Sequence, residues 1–195
     1  MRAAPTLFLA LELPASLRRH LAIRLGQLGA LDPRIRPVRA DGLHLTLRFL
    51  GRMDAETETS IREAAGRVAQ KTQAFGLELH GLGAFSQGAH PQVIWAAVRQ
   101  GQSELGQLAE GLAAALAAAG WPPEPRPFVA HCTLARVPGG LGATAQAKLV
   151  DLGRRAGAEP PLPMRATALA LLESVVVRGE PNRYPSRAGW SFQDG

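Results

Sequence analysis

Apolar residues recur along this chain with two different periods, and each period predicts a different element. Thr6–Leu13 is almost wholly apolar and ends before a proline, which predicts a buried strand. In Ala15–Leu31 leucine recurs every three or four positions, which is typical of an amphipathic helix. Leu43–Leu50 alternates apolar and polar residues after the turn Asp41-Gly42, which predicts a strand with one buried face.

The same two periods predict elements along the rest of the chain. We expect helices at Asp54–Gln73, Ser103–Ala119 and Ala143–Ala156, and strands at Phe75–Leu82, Gln92–Val98, Phe128–Arg136, Met164–Val177 and Arg183–Phe192. Gly83–Pro91 is expected to form a loop and Pro122–Pro127 a stiff connector, while Asp54 is expected to cap its helix. Because short turns join several strands directly, the predicted fold class is α+β with antiparallel strand pairs.

Composition narrows the class of protein. The 195 residues are 46% hydrophobic, so the chain can bury a sizeable core, as one domain or as two closely packed small lobes. The formal net charge of +6 favours an anionic partner, for which nucleic acid is the obvious candidate. Only Lys71 and Lys148 are lysines among the 22 basic residues. Arginine suits a partner that carries phosphate, because its guanidinium matches phosphate oxygens in pairs. Coding bias is the favoured explanation of the excess, because Ala, Gly, Leu and Pro are also abundant.

Two features of the sequence indicate the cellular compartment of the protein. Cys132 is the one cysteine, which excludes an internal disulfide and suits a reducing environment. The early apolar run contains Glu12 and stops at Pro14, so it is too short and too interrupted for a signal peptide or a membrane span. We therefore expect a soluble cytoplasmic protein that does not contact membrane.

The candidate catalytic residues belong to a four-residue pattern that occurs twice in the chain. His44-Leu45-Thr46-Leu47 and His131-Cys132-Thr133-Leu134 both read His-x-Thr-Leu, and they lie 87 residues apart (131 − 44) on predicted strands. On a strand, residues i and i+2 point to the same face, so each copy presents an imidazole beside a hydroxyl. If the two halves of the chain pack about a pseudo-twofold axis, the two pairs face each other across one cleft.

Such a site suits phosphodiester hydrolysis. An ordinary imidazole has a pKa near ~6.5, so it can take or give a proton at neutral pH. One histidine would take a proton from water while the other protonates the departing oxygen, and each role contributes about 10²–10⁴-fold in rate. Threonine hydroxyls would donate to the non-bridging phosphate oxygens.

Structural, nucleophilic and metal-binding roles are the alternatives for these residues. A single histidine beside a leucine-rich strand is more often structural, but the duplication of the pattern favours catalysis. Cys132 is expected to face away from both histidines as a small buried hydrophobe, which opposes a Cys–His nucleophile. Two histidines without a third ligand make an incomplete metal site. Strand parity predicts that Phe49 is buried with the leucines, with a place in the cleft as the alternative because it lies near the strand end. An apolar strand predicts that Trp95 lies in the core.

At these residues the chain resembles the 2H phosphoesterases, and most closely their RNA 2′,3′-cyclic phosphodiesterase branch, also called LigT-like 2′-5′ RNA ligases. The resembling segments are Leu7–Leu11, Arg36–Gly51, Gly81–Phe85, Arg126–Arg136, and Leu172–Ser174 with Arg183–Tyr184. The resemblance implies one domain over residues 1–195, with two similar antiparallel lobes of sheet and helices related by a pseudo-twofold axis. Each lobe would carry one motif, with the active cleft between them.

The resemblance also implies roles for the residues. His44 would be the proton donor and His131 the proton acceptor, although the two near-identical motifs by themselves leave that direction open. Thr46, Thr133 and Arg136 would bind the phosphate, even though strand parity places Arg136 on the opposite face from His131. No cofactor and no metal are implied, and we expect a monomer without an obligate protein partner.

The predicted function is metal-independent hydrolysis of an RNA 2′,3′-cyclic phosphate to a 2′-phosphomonoester, with a reversible 2′-5′ ligase activity as an extension. A non-catalytic protein that binds RNA ends in the same basic cleft is the alternative, and a metal-dependent phosphodiesterase is a third. Transfer-RNA fragments, cyclic nucleotides and ADP-ribose cyclic phosphates all present the same reacting group, so the sequence leaves the substrate open.

Overall fold

The structure, a computed structural model, describes residues 4–88, 90–177 and 179–194. In these ranges the helices are α1 (Ala15–Gly29), α2 (Ala55–Ala69), α3 (Gln102–Ala118) and α4 (Ala143–Ala158). The strands are β1 (Thr6–Glu12), β2 (Arg36–Pro37), β3 (His44–Arg52), β4 (Phe75–Gln87), β5 (His90–Gln100), β6 (His131–Arg136), β7 (Leu162–Ala166), β8 (Ala168–Glu173) and β9 (Ser186–Ser191). The predicted α+β class is confirmed.

The helices form where the periodic pattern predicts them. In α1 the four repeating leucines are the buried residues, so the stripe predicted from the sequence is the face that meets the core. In α2 the side chain of Asp54 accepts a hydrogen bond from the backbone N–H of Thr57 at 2.9 Å, which confirms Asp54 as the N-cap. None of the helices among the described residues is long and apolar enough to cross a membrane.

The strands form one antiparallel sheet with the same number of strands on each side of its centre. The order is β7-β4-β5-β6-β3-β1-β8-β9, and β2 pairs with β6 outside this path. The central neighbours β6 and β3 are the two strands that carry the His-x-Thr-Leu motifs. Three further strands follow on each side, so each motif strand begins a four-stranded half of the sheet.

The sheet curls until its ends come close together. Only Thr167 separates β7 from β8, although these strands belong to opposite halves of the sheet. Gln73 bridges Gln193, and the ring of Phe75 stacks on that of Phe192 with centroids 6.2 Å apart. This curling bends the central strands and creates a concave face on which a site can lie.

The two faces of the sheet bury different side chains. On β1, alternate residues such as Leu7 and Leu9 belong to the large core that the helices cover, whereas Phe8 and Ala10 belong to a small apolar cluster on the opposite face. That cluster also contains Leu172 from β8, and Tyr184 packs on it. The opposite face is thus the concave one, and part of its floor is apolar.

Several predicted element boundaries were wrong, and three of them change the description of the sheet. Most of the predicted loop Gly83–Pro91 is instead the end of a long hairpin of β4 and β5, while residue 89 lies outside the described residues. The predicted strand Met164–Val177 is split between β7 and β8, because the chain crosses there from one half of the sheet to the other. β6 begins at His131, three residues later than expected.

Candidate active site

The two motifs meet at the centre of the sheet. Leu45 of β3 pairs directly with Cys132 of β6, and these are the middle residues of the two His-x-Thr units. Because the pair is antiparallel, His44 and Thr133 lie one step to one side of it, and Thr46 and His131 lie one step to the other side. The two histidines are therefore placed diagonally across the pair. All four side chains line the same cleft.

Both imidazoles are held in the same way by the backbone. Nδ1 of His44 lies 2.7 Å from the carbonyl oxygen of Gly42, and Nδ1 of His131 lies 2.7 Å from that of Val129. A carbonyl oxygen only accepts, so each Nδ1 carries the hydrogen and donates it. The other ring nitrogen, Nε2, is then the atom that can take or give a proton in the cleft.

A β-bulge in each motif strand decides what lies beyond the histidine. Between β1 and β3 the register skips Leu47 and, nearer the end of the strand, Leu50, and between β5 and β6 it skips Leu134. Leu47 and Leu134 are each three positions after a histidine, and the bulge at each shifts the next side chains to the other face. Buried and exposed positions follow the same order in the first six residues of both strands.

This shift explains where Arg136 lies. The strand-parity prediction that placed Arg136 on the opposite face from His131 was wrong, because the bulge at Leu134 returns it to the cleft. Phe49 occupies the equivalent place in β3, five residues after His44. The prediction that Phe49 is buried was also wrong, since its side chain is 59% exposed and lines the cleft.

The cleft has a volume of about 500 Å³, which is within the range of small-molecule sites, roughly 300–1,000 Å³. Its charged lining residues are Arg126, Arg136 and Glu124, so arginine predominates. Phe85 and Phe128 add apolar surface on the side of His131. The arrangement suits an anion that carries a flat apolar group.

The connector before the second motif closes one edge of the cleft. Arg48, which is buried, donates to the carbonyl oxygen of Pro122, and Oε1 of Glu124 accepts from the backbone N–H of Phe49 at 2.8 Å. On the equivalent edge of β6, Arg36 pairs with Arg136 as part of β2. The two motif strands separate beyond their central pair, and each is covered there by a short extended segment.

The two histidines differ in their surroundings. His44 contacts Phe8 and Tyr184, with ring centroids 4.8 Å away in each case. Burial lowers the pKa of His44 below its ordinary value, the hydrogen bond to the Gly42 carbonyl opposes this, and electrostatic interactions with His131 and Arg136 add to the lowering. The free protein therefore favours the neutral imidazole at this position.

Cys132 takes no part in the cleft. Its side chain is fully buried, and burial raises the pKa of its thiol to about 12. A thiolate is therefore inaccessible at neutral pH. The prediction that Cys132 is a small buried hydrophobe is confirmed.

No group of three or more histidine, cysteine or acidic side chains suited to a metal ion occurs in the described parts of the chain.

Several cleft residues were not predicted as site residues from the sequence. Phe8, Ser174, Asn182 and Tyr184 line the cleft on the side of His44, and three of them come from the segment between β8 and β9. The resemblance of Leu172–Ser174 and Arg183–Tyr184 to the family pattern pointed to this segment without assigning a role. Trp95 was predicted to lie in the core but is only partly buried, with its ring centroid 6.1 Å from that of His131.

A curled antiparallel sheet with one His-x-Thr-Leu motif on each central strand defines the class of 2H phosphoesterases. The chain matches the family model of the 2′-5′ RNA ligase superfamily over residues 14–178. It therefore belongs to that superfamily, as the sequence resemblance predicted.

Named relatives and solved structures agree with this assignment. The chain is 39% identical to the RNA 2′,3′-cyclic phosphodiesterase of Escherichia coli over 130 residues, which are 67% of this chain and 70% of that protein. It is 31% identical to the enzyme of the same name from Aeropyrum pernix over 147 residues, 75% of this chain and 81% of that one. The crystal structure of E. coli LigT complexed with 3′-AMP superposes with a TM-score of 0.75 at 31% identity, covering 97% and 98% of the two chains.

Proposed function

We propose that this protein is an RNA 2′,3′-cyclic phosphodiesterase that opens a ribose 2′,3′-cyclic phosphate and leaves a 2′-phosphomonoester. The observation that carries the proposal is the diagonal placement of His44 and His131 in one cleft, each with Nδ1 occupied by a backbone carbonyl. The names of the relatives support the same reaction.

In the proposed mechanism His131 and His44 act from opposite sides of the phosphorus. His131 takes a proton from water through Nε2, and the water oxygen attacks phosphorus in line with the departing 3′ oxygen. His44 donates its Nε2 proton to that oxygen, so the P–O3′ bond breaks and a 2′-phosphate remains. The charges balance, since one proton enters at His131 and one leaves from His44.

The cleft supplies hydrogen-bond donors and a positive charge for the phosphate that the two histidines act on. The hydroxyls of Thr46 and Thr133 and the guanidinium of Arg136 would donate to the non-bridging oxygens, whose negative charge persists through the transition state. The bound phosphate also favours the imidazolium form of His44, because an adjacent negative charge raises the pKa of an imidazole. His44 would thus gain its proton when the substrate binds.

The decisive experiment is product analysis with an oligonucleotide that ends in a 2′,3′-cyclic phosphate, in the presence of a chelator. We expect full turnover and a 2′-monophosphate product. Loss of activity on chelation would contradict the metal-independent mechanism, and a 3′-monophosphate would contradict the assignment of the leaving oxygen. Salt-sensitive RNA binding without any product would favour the non-catalytic RNA-end binder instead.

The same assay tests the two histidines. His44→Ala and His131→Ala should each lower kcat by about 10²–10⁴-fold, because each removes one proton-transfer partner. His20→Ala is the matched control, since His20 is exposed on α1, outside the cleft, and its loss should leave turnover unchanged. Circular dichroism should show that all three variants are folded; turnover retained in either motif variant would contradict the mechanism.

The ligase activity belongs to the same proposal. If the 5′-hydroxyl of a second RNA replaces water as the attacking group, the same two proton transfers produce a 2′-5′ phosphodiester. The superfamily to which the chain belongs supports this extension. Incubation of an RNA half ending in a cyclic phosphate with a 5′-hydroxyl half should produce a joined product, and its absence would restrict the protein to hydrolysis.

We further propose a single domain of two lobes that works as a monomer in the cytoplasm. The equal number of strands on either side of the β3–β6 pair supports the two lobes, and one free cysteine suits a reducing compartment. Light scattering coupled to gel filtration tests the monomer, and a mass near twice 20.7 kDa would contradict it.

A further inference from the structure

The two histidines occupy equivalent positions and each contacts two aromatic rings, but the rings around His44 lie closer to it and are less exposed. Phe8 and Tyr184 each lie 4.8 Å from His44 between ring centroids, and they contact each other at 5.5 Å in an edge-to-face arrangement. Against His131, Phe85 lies at 4.8 Å but is itself 36% exposed, and Trp95 lies at 6.1 Å. The motifs are alike, so this difference comes from the segments that surround them.

Tyr184 reaches His44 because β8 and β9 are consecutive in the chain. The segment between them is held by backbone hydrogen bonds between Val175 and Arg183 at 2.9 and 3.0 Å, and by the N–H of Glu173 to the carbonyl of Pro185 at 3.0 Å. In the other half of the sheet the equivalent places belong to β4 and β7, which are far apart in sequence. No hairpin joins β4 to β7, so His131 has no counterpart of the β8–β9 segment that covers His44.

Tyr184 also contacts the turn that orients His44. A β-carbon at Gly42 would lie only 2.9 Å from Cδ2 of Tyr184, so the ring packs directly against this turn. The carbonyl of Gly42 accepts the hydrogen bond from Nδ1 of His44. One side chain therefore contacts both the reacting imidazole and the backbone group that holds it.

We propose that Tyr184 is a positioning residue whose ring shuts water away from His44 and makes the two motif histidines chemically different. The inference rests on the proposed function for the role of His44 in the reaction. It assigns to the β8–β9 segment, which carries neither motif, the task of breaking the symmetry between the two halves of the site.

Removing the ring has a predictable electrostatic effect. The ionisable groups near His44 are Glu12, its exposed register partner on β1, His131 and Arg136 on β6, and Tyr184 itself. Burial is the largest cause of the lowered pKa of His44. Admitting water at Tyr184 relieves that cause and leaves the others in place, so the pKa of His44 should rise toward its ordinary value.

The first test measures His44 directly and needs no turnover. We would follow the imidazole carbon and proton signals of His44 by NMR across pH in the wild type, Tyr184→Phe and Tyr184→Ala, with assignment from His44→Ala. We expect Tyr184→Phe to titrate like the wild type, because it keeps the ring, and Tyr184→Ala to titrate at higher pH. Equal titration of His44 in folded Tyr184→Ala and wild type would overturn the proposal.

The second test is the pH profile of kcat/KM on a 2′,3′-cyclic nucleotide. The acidic limb of a bell-shaped profile follows whichever histidine has the lower pKa, whether that group is the acid or the base. In Tyr184→Ala this limb should move to higher pH, whereas a merely structural loss would lower the rate without moving it. The same shift in Tyr184→Phe would also overturn the proposal, because it would assign the effect to the hydroxyl.

The controls separate this inference from the proposed function. Val176→Ala changes a side chain that is 78% exposed in the same hairpin and should leave titration and profile unchanged. If Tyr184→Ala does not fold, Tyr184→Leu keeps an apolar cover without the ring, and a smaller upward shift is then expected. A wild type without turnover would refute the proposed function, while the NMR titration would still decide the role of Tyr184.

Discussion

At the scale of single residues, two bulged leucines determine the chemistry of the cleft. Leu47 and Leu134 are bulged residues at equivalent places in their strands, and each bulge turns the second residue after it toward the cleft. In one half that residue is Phe49 and in the other it is Arg136. The same backbone feature therefore supplies an apolar surface on one side of the phosphate position and a cation on the other.

Arg136 gives a prediction at this scale. Arg136→Met should lower kcat/KM on a 2′,3′-cyclic nucleotide by about 10–150-fold, because a hydrogen bond to a charged group contributes about 1.5–3 kcal/mol. Arg136→Lys should recover only part of the loss, since an ammonium cannot make the paired contact of a guanidinium. Steady-state kinetics with Arg99→Met, an exposed arginine outside the cleft, as control would test this; equal losses in both variants would contradict it.

At the scale of elements, the β4–β5 hairpin supports His131 through two aromatic rings, Trp95 and Phe85. Gly83 pairs with Trp95 across the hairpin, and the indole ring crosses directly over the glycine. The Trp95 ring lies 5.3 Å from that of Phe85, which in turn packs edge-on against His131. The position of His131 thus depends on a glycine that no polar or catalytic pattern would have selected.

Replacing that glycine should disturb the hairpin and the site together. In Gly83→Ala the new β-carbon would lie 2.2–2.4 Å from three carbons of the Trp95 ring, so the ring must move. We expect a loss of about 1–3 kcal/mol in the free energy of unfolding, as for other overpacked sites, with reduced kcat. Urea denaturation and kinetics provide the measurements.

Gly76→Ala is the matched control on the same strand. A β-carbon there meets no atom within 4 Å, so we expect unchanged or slightly higher stability and normal kcat. If Gly83→Ala behaved like Gly76→Ala, the proposed support of His131 by Trp95 would be wrong.

At the scale of the whole molecule, an ion pair joins the last strand of the sheet, β9, to helix α2. Glu58 of α2 is 6% exposed and accepts hydrogen bonds from Arg62 on its own helix and from Arg187 on β9. Burial alone would raise the pKa of Glu58, but the bonds from Arg187 and Arg62 outweigh it and hold that pKa below its ordinary value of 4.5. The ionised carboxylate therefore stabilises the fold.

This predicts how stability depends on pH. Because the folded pKa of Glu58 is below the unfolded value, its contribution is complete above about pH 4.5 and is lost as the pH falls through the folded pKa. At pH 7 Glu58→Gln should lower the free energy of unfolding by roughly 1.5–3 kcal/mol. Urea denaturation at several pH values should show this deficit shrinking on acidification.

An exposed glutamate on the same helix provides the comparison for this prediction. Glu63 lies 3.9 Å from Arg67 with both side chains largely exposed, so Glu63→Gln should change stability by less than about 0.5 kcal/mol. A constant deficit for Glu58→Gln between pH 7 and pH 3 would show that its ionisation does not stabilise the fold.

The sequence by itself determined the helices, the α+β class and the paired motifs. Helical and strand periods are local properties of the chain, so the leucine stripe of α1 and the alternation around His44 and His131 were visible without coordinates. The repeated His-x-Thr-Leu motif predicted the catalytic residues from local sequence as well, because residues i and i+2 share a face on any strand.

Only the tertiary structure decided the faces beyond each bulge, the closure of the sheet and the enclosure of His44. A bulge depends on register with a neighbouring strand, so parity counting misplaced Arg136 and Phe49. The split between β7 and β8 and the contact of Tyr184 with His44 join residues far apart in sequence. Such contacts arise from packing between segments, which no local pattern of one segment encodes.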